Sequence, residues 1–155
     1  MKYLVSLILA LSTFIDCTPP PLATDADLKT ENIIQVPLTK QDIYNKTLQW
    51  MAITFVSSKH VIELQDSTQG VIIGNGSTTV HSTFLGDFDA RFTMRIDIKD
   101  NKFCFSSTNY QLFYNSIQQE GGMRKDLADQ MRGKINDIQQ SLFNYLGTTT
   151  KPKDF

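Results

Sequence analysis

The stretch from Ala90 to Phe105 constrains this chain most. Ala90, Phe92, Met94, Ile96 and Ile98 alternate with Arg91, Thr93, Arg95, Asp97 and Lys99. That two-residue period belongs to a strand with one buried and one solvated face. Asp100-Asn101 follows, a pair that tolerates the positive φ of a tight hairpin loop. With those two as the loop, Lys99 faces Lys102, Ile98 faces Phe103 and Ile96 faces Phe105. The apolar sides then agree across the turn, which fixes the register. Cys104 falls on the opposite side from Phe103 and Phe105. The rest of the chain must cover the apolar side of this hairpin.

A chain of 155 residues has room for one ordinary domain. Its 41% apolar and 20% charged residues suit a globular protein. A net charge of -1 gives no overall attraction to nucleic acid or anionic lipid. With 2 cysteines and 2 histidines, neither a disulfide framework nor a histidine metal cluster is expected, and no cofactor is implied.

The first residues read as an export address. Met1-Lys2 precedes an apolar run from Tyr3 to Ile15, interrupted only by Ser6, Ser12 and Thr13. The run has the length of a signal-peptide core and falls short of the ~20 residues a membrane span needs. Residues 1–16 are therefore expected to be a signal peptide. Cys17 stands where a bacterial lipoprotein carries its acylated cysteine, although Asp16 occupies a position such signals give to a small residue. Lipidation at Cys17 is the expectation; cleavage elsewhere by ordinary signal peptidase is the alternative. Residues 17–30 are rich in Thr, Pro, Ala and Asp, the composition of a flexible spacer.

Glu31 to Leu38 reads as a strand with Ile34, Val36 and Leu38 on one face, and Pro37 suits its end. Thr39 can cap a helix, with Asp42 as the reciprocal half of a capping box and Leu38 and Ile43 as a hydrophobic staple. Tyr44, Leu48, Met51 and Phe55 recur at helical spacing, with Trp50 on the flank as a core-edge indole. His60 to Asp66 predicts a strand with Ile62 and Leu64 inward. A turn over Asp66 to Gly70 leads into a strand from Val71, whose faces alternation does not assign. Gly74 and Gly76 invite a phosphate-loop reading, but no helical pattern follows them. Two same-side glycines in a strand instead permit close backbone approach. His81 to Asp89 reads as an apolar connecting loop. Tyr110 to Gln119 reads as a strand end, then a loop. Leu127, Met131, Ile135, Ile138, Leu142 and Tyr145 form one face of a helix over 123–146, with Gly133 as a kink or close-contact point and Gly147 as its cap. Thr148 to Phe155 is a polar tail.

The expected architecture is α+β: a single curved antiparallel sheet of about five strands, in the order β-α-β-β-β-β-α, with two helices on one face. The chain resembles a bacterial exported family of unknown function whose domain is described as TATA-binding-protein-like. The resemblance rests on W-M-A-x-x-F-x-S-S from Trp50 to Ser58, then Val61-Ile62, Asp66, Gly70, Ile72 and Gly74. It continues through F-x-M-x-I-x-I-K-D-N-K from Phe92 to Lys102. It implies a TBP-like fold over residues 31–147 and an exported location, and no chemistry.

No catalytic constellation stands out. His60 and His81 lie beside no nucleophile elbow, Cys104 has no assured basic neighbour, and Asp87 and Asp89 read as solvated loop carboxylates. The remaining candidate is the open sheet face, from which Arg91, Arg95, Asp97 and Lys99 should project. The expectation is a non-catalytic envelope protein, lipid-anchored or periplasmic, binding an unidentified protein or small ligand through that face. A nucleic-acid-binding module, by analogy with the TATA-binding protein, is the alternative. The mixed sign of the face and the export signal argue against nucleic acid as a partner.

Overall fold

A computed structural model describes residues 21–55 and 61–147. Cys17, His60, residues 1–16 expected as a signal peptide, and the C-terminal tail lie outside the described residues. The elements are α1 (Asp25–Leu28), β1 (Thr30–Gln35), α2 (Lys40–Thr54), β2 (Ile62–Asp66), β3 (Val71–Ser82), β4 (Gly86–Lys99), β5 (Lys102–Tyr114), β6 (Ile117–Gln118) and α3 (Lys125–Gly147). They form one antiparallel sheet in the order β1-β5-β4-β3-β2, with the short β6 also paired to β5.

The central hairpin folds as its alternation dictates. Lys99 pairs with Lys102, Ile98 with Phe103, and Ile96 with Phe105. Ala90, Phe92, Met94, Ile96, Ile98, Phe103 and Phe105 are all buried. Asn101 takes a φ of 63° at the turn. The turn also serves the neighbouring helix. The Asp100 carboxylate accepts the Lys40 amide at 2.8 Å, at the N-terminus of α2, where the first amides have no acceptor within the helix. Thr39 is the N-cap, accepting the Asp42 amide at 3.2 Å and donating its hydroxyl to the Asp42 carboxylate at 2.7 Å.

Helices α2 and α3 pack on the apolar face of the sheet. From α2 come Ile43, Tyr44, Thr47, Trp50 and Met51; from α3 come Leu127, Met131, Ile135, Leu142 and Leu146. The centre of the α2 stripe is thus rotated from the expected one. Leu48 and Phe55 are half-buried, while Trp50 is 1% exposed and lies in the core. Its indole N–H donates to Ser141 Oγ on α3 at 3.2 Å, so the helix pair satisfies the one polar atom of that ring. Helix α3 runs unbroken through Gly133, which makes no close contact with the sheet. It faces solvent, and a Cβ built there meets nothing within 4 Å.

Strand β3 shows why its faces resist reading. Ile72, Gly74, Gly76, Val80 and Ser82 all point inward and are buried. Three of those five lack an apolar signature. Both glycines make room: a Cβ on Gly74 would lie 2.7 Å from the Val61 carbonyl oxygen, and one on Gly76 would strike the Phe92 ring.

Further expectations are corrected. Leu64 is 47% exposed, because β2 slips register between Ile62 and Leu64 and the bulge turns the side chain off the core. His81 to Asp89 is not a loop. His81 and Ser82 end β3, Gly86 begins β4, and Thr83–Leu85 alone make the turn. The segment after Tyr110 continues β5 to Tyr114, turns at Asn115-Ser116, and returns as β6. The spacer reading of 17–30 fails from Pro21 onward. Leu22 bridges Arg124, the Ala23 amide donates to the Met123 carbonyl at 2.7 Å, and Arg132 donates to the Asp27 carbonyl at 3.2 Å. Charge then reinforces the docking, since Lys125 lies 3.7 Å from Asp27.

Candidate functional site on the open sheet face

Alternation places Arg91, Arg95, Asp97 and Lys99 together on the face of β4 away from the helices. The structure brings all four to that face and ties Arg95 to Asp97, while Arg91 pairs with Asp89. Arg95 donates twice to Asp97, at 2.8 and 2.7 Å. Those bonds raise the guanidinium's pKa, so Arg95 stays charged and already partnered. Arg91 donates to Asp89 at 2.8 Å and lies over the Phe113 ring, 4.0 Å from its centre. Asp89 is therefore a strand residue in an ion pair, and Asp87 likewise bonds His81 Nδ1 at 2.7 Å. Across the face, Arg91, Arg95, Lys99 and Lys102 are interspersed with Glu31, Glu63, Asp87, Asp89 and Asp97. No cationic surplus results.

Between the two arginines runs a row of neutral polar groups. Asn75 on β3 stands beside Thr93 on β4, and Thr93 stands beside the Asn109 bulge of β5. The Thr93 hydroxyl donates to Asn75 Oδ1 at 3.3 Å, and Asn109 Nδ2 donates to Thr93 Oγ1 at 3.3 Å. Asn75 Nδ2 donates to Glu63 on β2 at 2.6 Å. The row thus crosses four strands. Asn109 reaches it because β5 slips register opposite Phe92, with Asn109 at a φ of 53°. The Tyr110 hydroxyl holds that bulge by donating to the Ser107 carbonyl at 2.8 Å.

An open cavity of about 990 Å³ adjoins the row, lined by Asn75, Ser77, Arg91, Thr93, Asn109 and Gln111 among others. Amides and hydroxyls, the Arg91–Asp89 ion pair and the apolar Phe55, Val61 and Phe92 line it together without net charge, so this region suits a neutral or zwitterionic ligand. Alternation already puts Thr93 on the solvated face, but Asn75 and Asn109 were not legible as site residues. For Asn75, the missing signal was the face of β3; for Asn109, the bulge. Cys104 lies half-buried on the same face, and burial, then Glu31 and Asp97, raise its thiol pKa. That environment makes an inert thiol. Among the described residues, no group of three or more His, Cys, Asp or Glu side chains is placed to hold a metal ion.

The fold has solved counterparts. A TBP-like protein from Parabacteroides distasonis superposes with a TM-score of 0.64 at 10% identity, covering 77% of this chain and 92% of that one. A DUF4468 family protein from Bacteroides ovatus gives 0.61 at 16% identity, covering 86% and 94%. At such identities the likeness concerns the fold. No curated protein matches the chain. Residues 30–112 match the model of the domain of unknown function DUF4468, described as having a TBP-like fold. The match takes in β1 through most of β5 and spans over half the chain, so this protein belongs to the DUF4468 family.

Proposed function

We propose that this chain is an exported, non-catalytic binding domain of the bacterial cell envelope, anchored through an acylated Cys17, that takes a protein or small ligand on its open sheet face. The observation that carries the reading is the row Glu63–Asn75–Thr93–Asn109. Hydrogen-bonding groups side by side across four strands fit a partner that presents its own donors and acceptors at strand spacing. The flanking arginines sit in local ion pairs and frame the row with little net charge to attract polyanions. Anchoring is supported by the apolar run Tyr3–Ile15 ahead of Cys17.

Capture from solubilised envelope membranes tests the binding reading. The wild-type chain should retain a partner that Thr93→Arg loses, because the longer cation would cover the row. Equal capture by both would remove the face from the account. Labelled palmitate should enter the wild type and not Cys17→Ala; label in neither ends the anchoring reading. Nucleic acid is the competing partner on fold kinship alone. Duplex DNA binding that falls steeply with salt and is abolished by Arg95→Glu would favour it.

A further inference from the structure

Two hairpin tips and the point where the leader joins the domain share one end of the sheet. On the β3–β4 turn, Phe84 is 86% exposed and Leu85 57%. Beside the β5–β6 turn, Ile117 is 68% exposed. The two tips are neighbours: Asp89 pairs with Phe113, and the rings of Phe88 and Tyr114 lie 5.2 Å apart. The N-terminal turns of α3 reach the same end. Gln130 accepts the His81 amide at 3.0 Å and donates to the His81 carbonyl at 2.9 Å. The described chain enters here too, since the Lys125 amide donates to the Pro21 carbonyl at 3.0 Å and Leu22 bridges Arg124. Leu22 is itself exposed.

We propose that this end is a membrane-docking surface, with Phe84, Leu85 and Ile117 set into the interfacial layer of a bilayer. The proposal rests on the anchoring reading of Cys17 and adds an orientation to it. Its main support is the tether. Thr18-Pro19-Pro20 alone separate Cys17 from Pro21, and a residue spans at most ~3.6 Å, so the reach from Cys17 to Pro21 is at most about 14 Å. An acylated Cys17 therefore keeps this end of the sheet close to the lipid. Aromatic and aliphatic side chains held there leave water for the headgroup boundary. Local charges are paired as Arg124–Asp126 and Lys125–Asp27, and the Asp87 carboxylate is hydrogen-bonded to His81 Nδ1. Attraction to anionic lipid is not the driving term, and zwitterionic lipid is the occupant.

The test uses the full chain reconstituted in phosphatidylcholine vesicles with brominated acyl chains. Phe84→Trp places an indole on the tip, and Lys99→Trp places one at the other end of β4. Both positions are exposed, so the fold tolerates them, and buried Trp50 gives the same background in each. Emission from Phe84→Trp should be quenched and shifted to the blue. Emission from Lys99→Trp should match that in unbrominated vesicles. Equal quenching of the two, quenching of neither, or failure of the chain to sediment with vesicles overturns the proposal. A blue shift of Phe84→Trp that tracks protein concentration without vesicles assigns the tips to a second copy and overturns it as well. Palmitate labelling scores the anchor separately. Quenching without label leaves the docking surface and removes the anchor; label without quenching does the reverse.

Discussion

At the scale of single residues, the glycines separate by what surrounds them. Gly76 is buried where the Phe92 ring crosses its strand, and a methyl there collides with that ring. Gly76→Ala should cost roughly 1–3 kcal/mol, as overpacking does. Gly133 sits on the solvent side of α3 with open space where its Cβ would be. Gly133→Ala should stabilise the domain by up to about 1 kcal/mol. Urea midpoints of the two variants read these opposite signs. Sequence alone places both glycines within elements; the Phe92 ring, brought in by the β3–β4 register, decides the role of Gly76, and open solvent-side space that of Gly133. Cys104 gives a chemical counterpart. Burial raises its pKa, so less thiolate is present at a given pH than on a free cysteine. Its alkylation at pH 8 should be slower in the native chain than in the urea-unfolded chain, and comparable rates would contradict its placement against β1.

Elements were legible where one period ran unbroken. Strand β4 and the start of β5 carry apolar residues on a single parity, and their register follows from the two-residue loop. The α3 stripe shows the same clarity at helical spacing, with Leu127, Met131, Ile135 and Leu142 buried as expected. Legibility failed at three kinds of place. In β3, glycine and serine occupy inward positions, so burial left no hydrophobic trace. In β2, a bulge moved Leu64 off the core. At the far end of β5, the turn Asn115-Ser116 was available as a signal, since both residues take positive φ, at 49° and 67°. That is the geometry of the two-residue hairpin loop that favours glycine at its second position. Ser116→Gly should therefore stabilise the β5–β6 hairpin by a few tenths to about 1 kcal/mol, read by thermal unfolding. A loss of stability would show that the Ser116 side chain makes a contact worth more than the backbone strain it brings.

For the whole molecule, the governing fact is that one sheet has two unlike sides. Two helices cover one side, and the exposed side carries paired charges around a neutral polar row. The candidate site was half visible from sequence. Arg91, Arg95, Asp97 and Lys99 could be placed on one face by parity, and the Arg95–Asp97 pair lies along that one strand, but the contributions of β3 and β5 depend on strand order. Adjacent residues Thr93 and Met94 point to opposite sides, which makes them a direct probe of this division. The urea midpoints of Thr93→Arg and Met94→Ala, measured in parallel, test it most closely. Thr93→Arg should stay within about 0.5 kcal/mol of the parent chain, while Met94→Ala should lose roughly 2–5 kcal/mol through the cavity it leaves. Comparable losses in the two variants would contradict a sheet with one packed face and one free face.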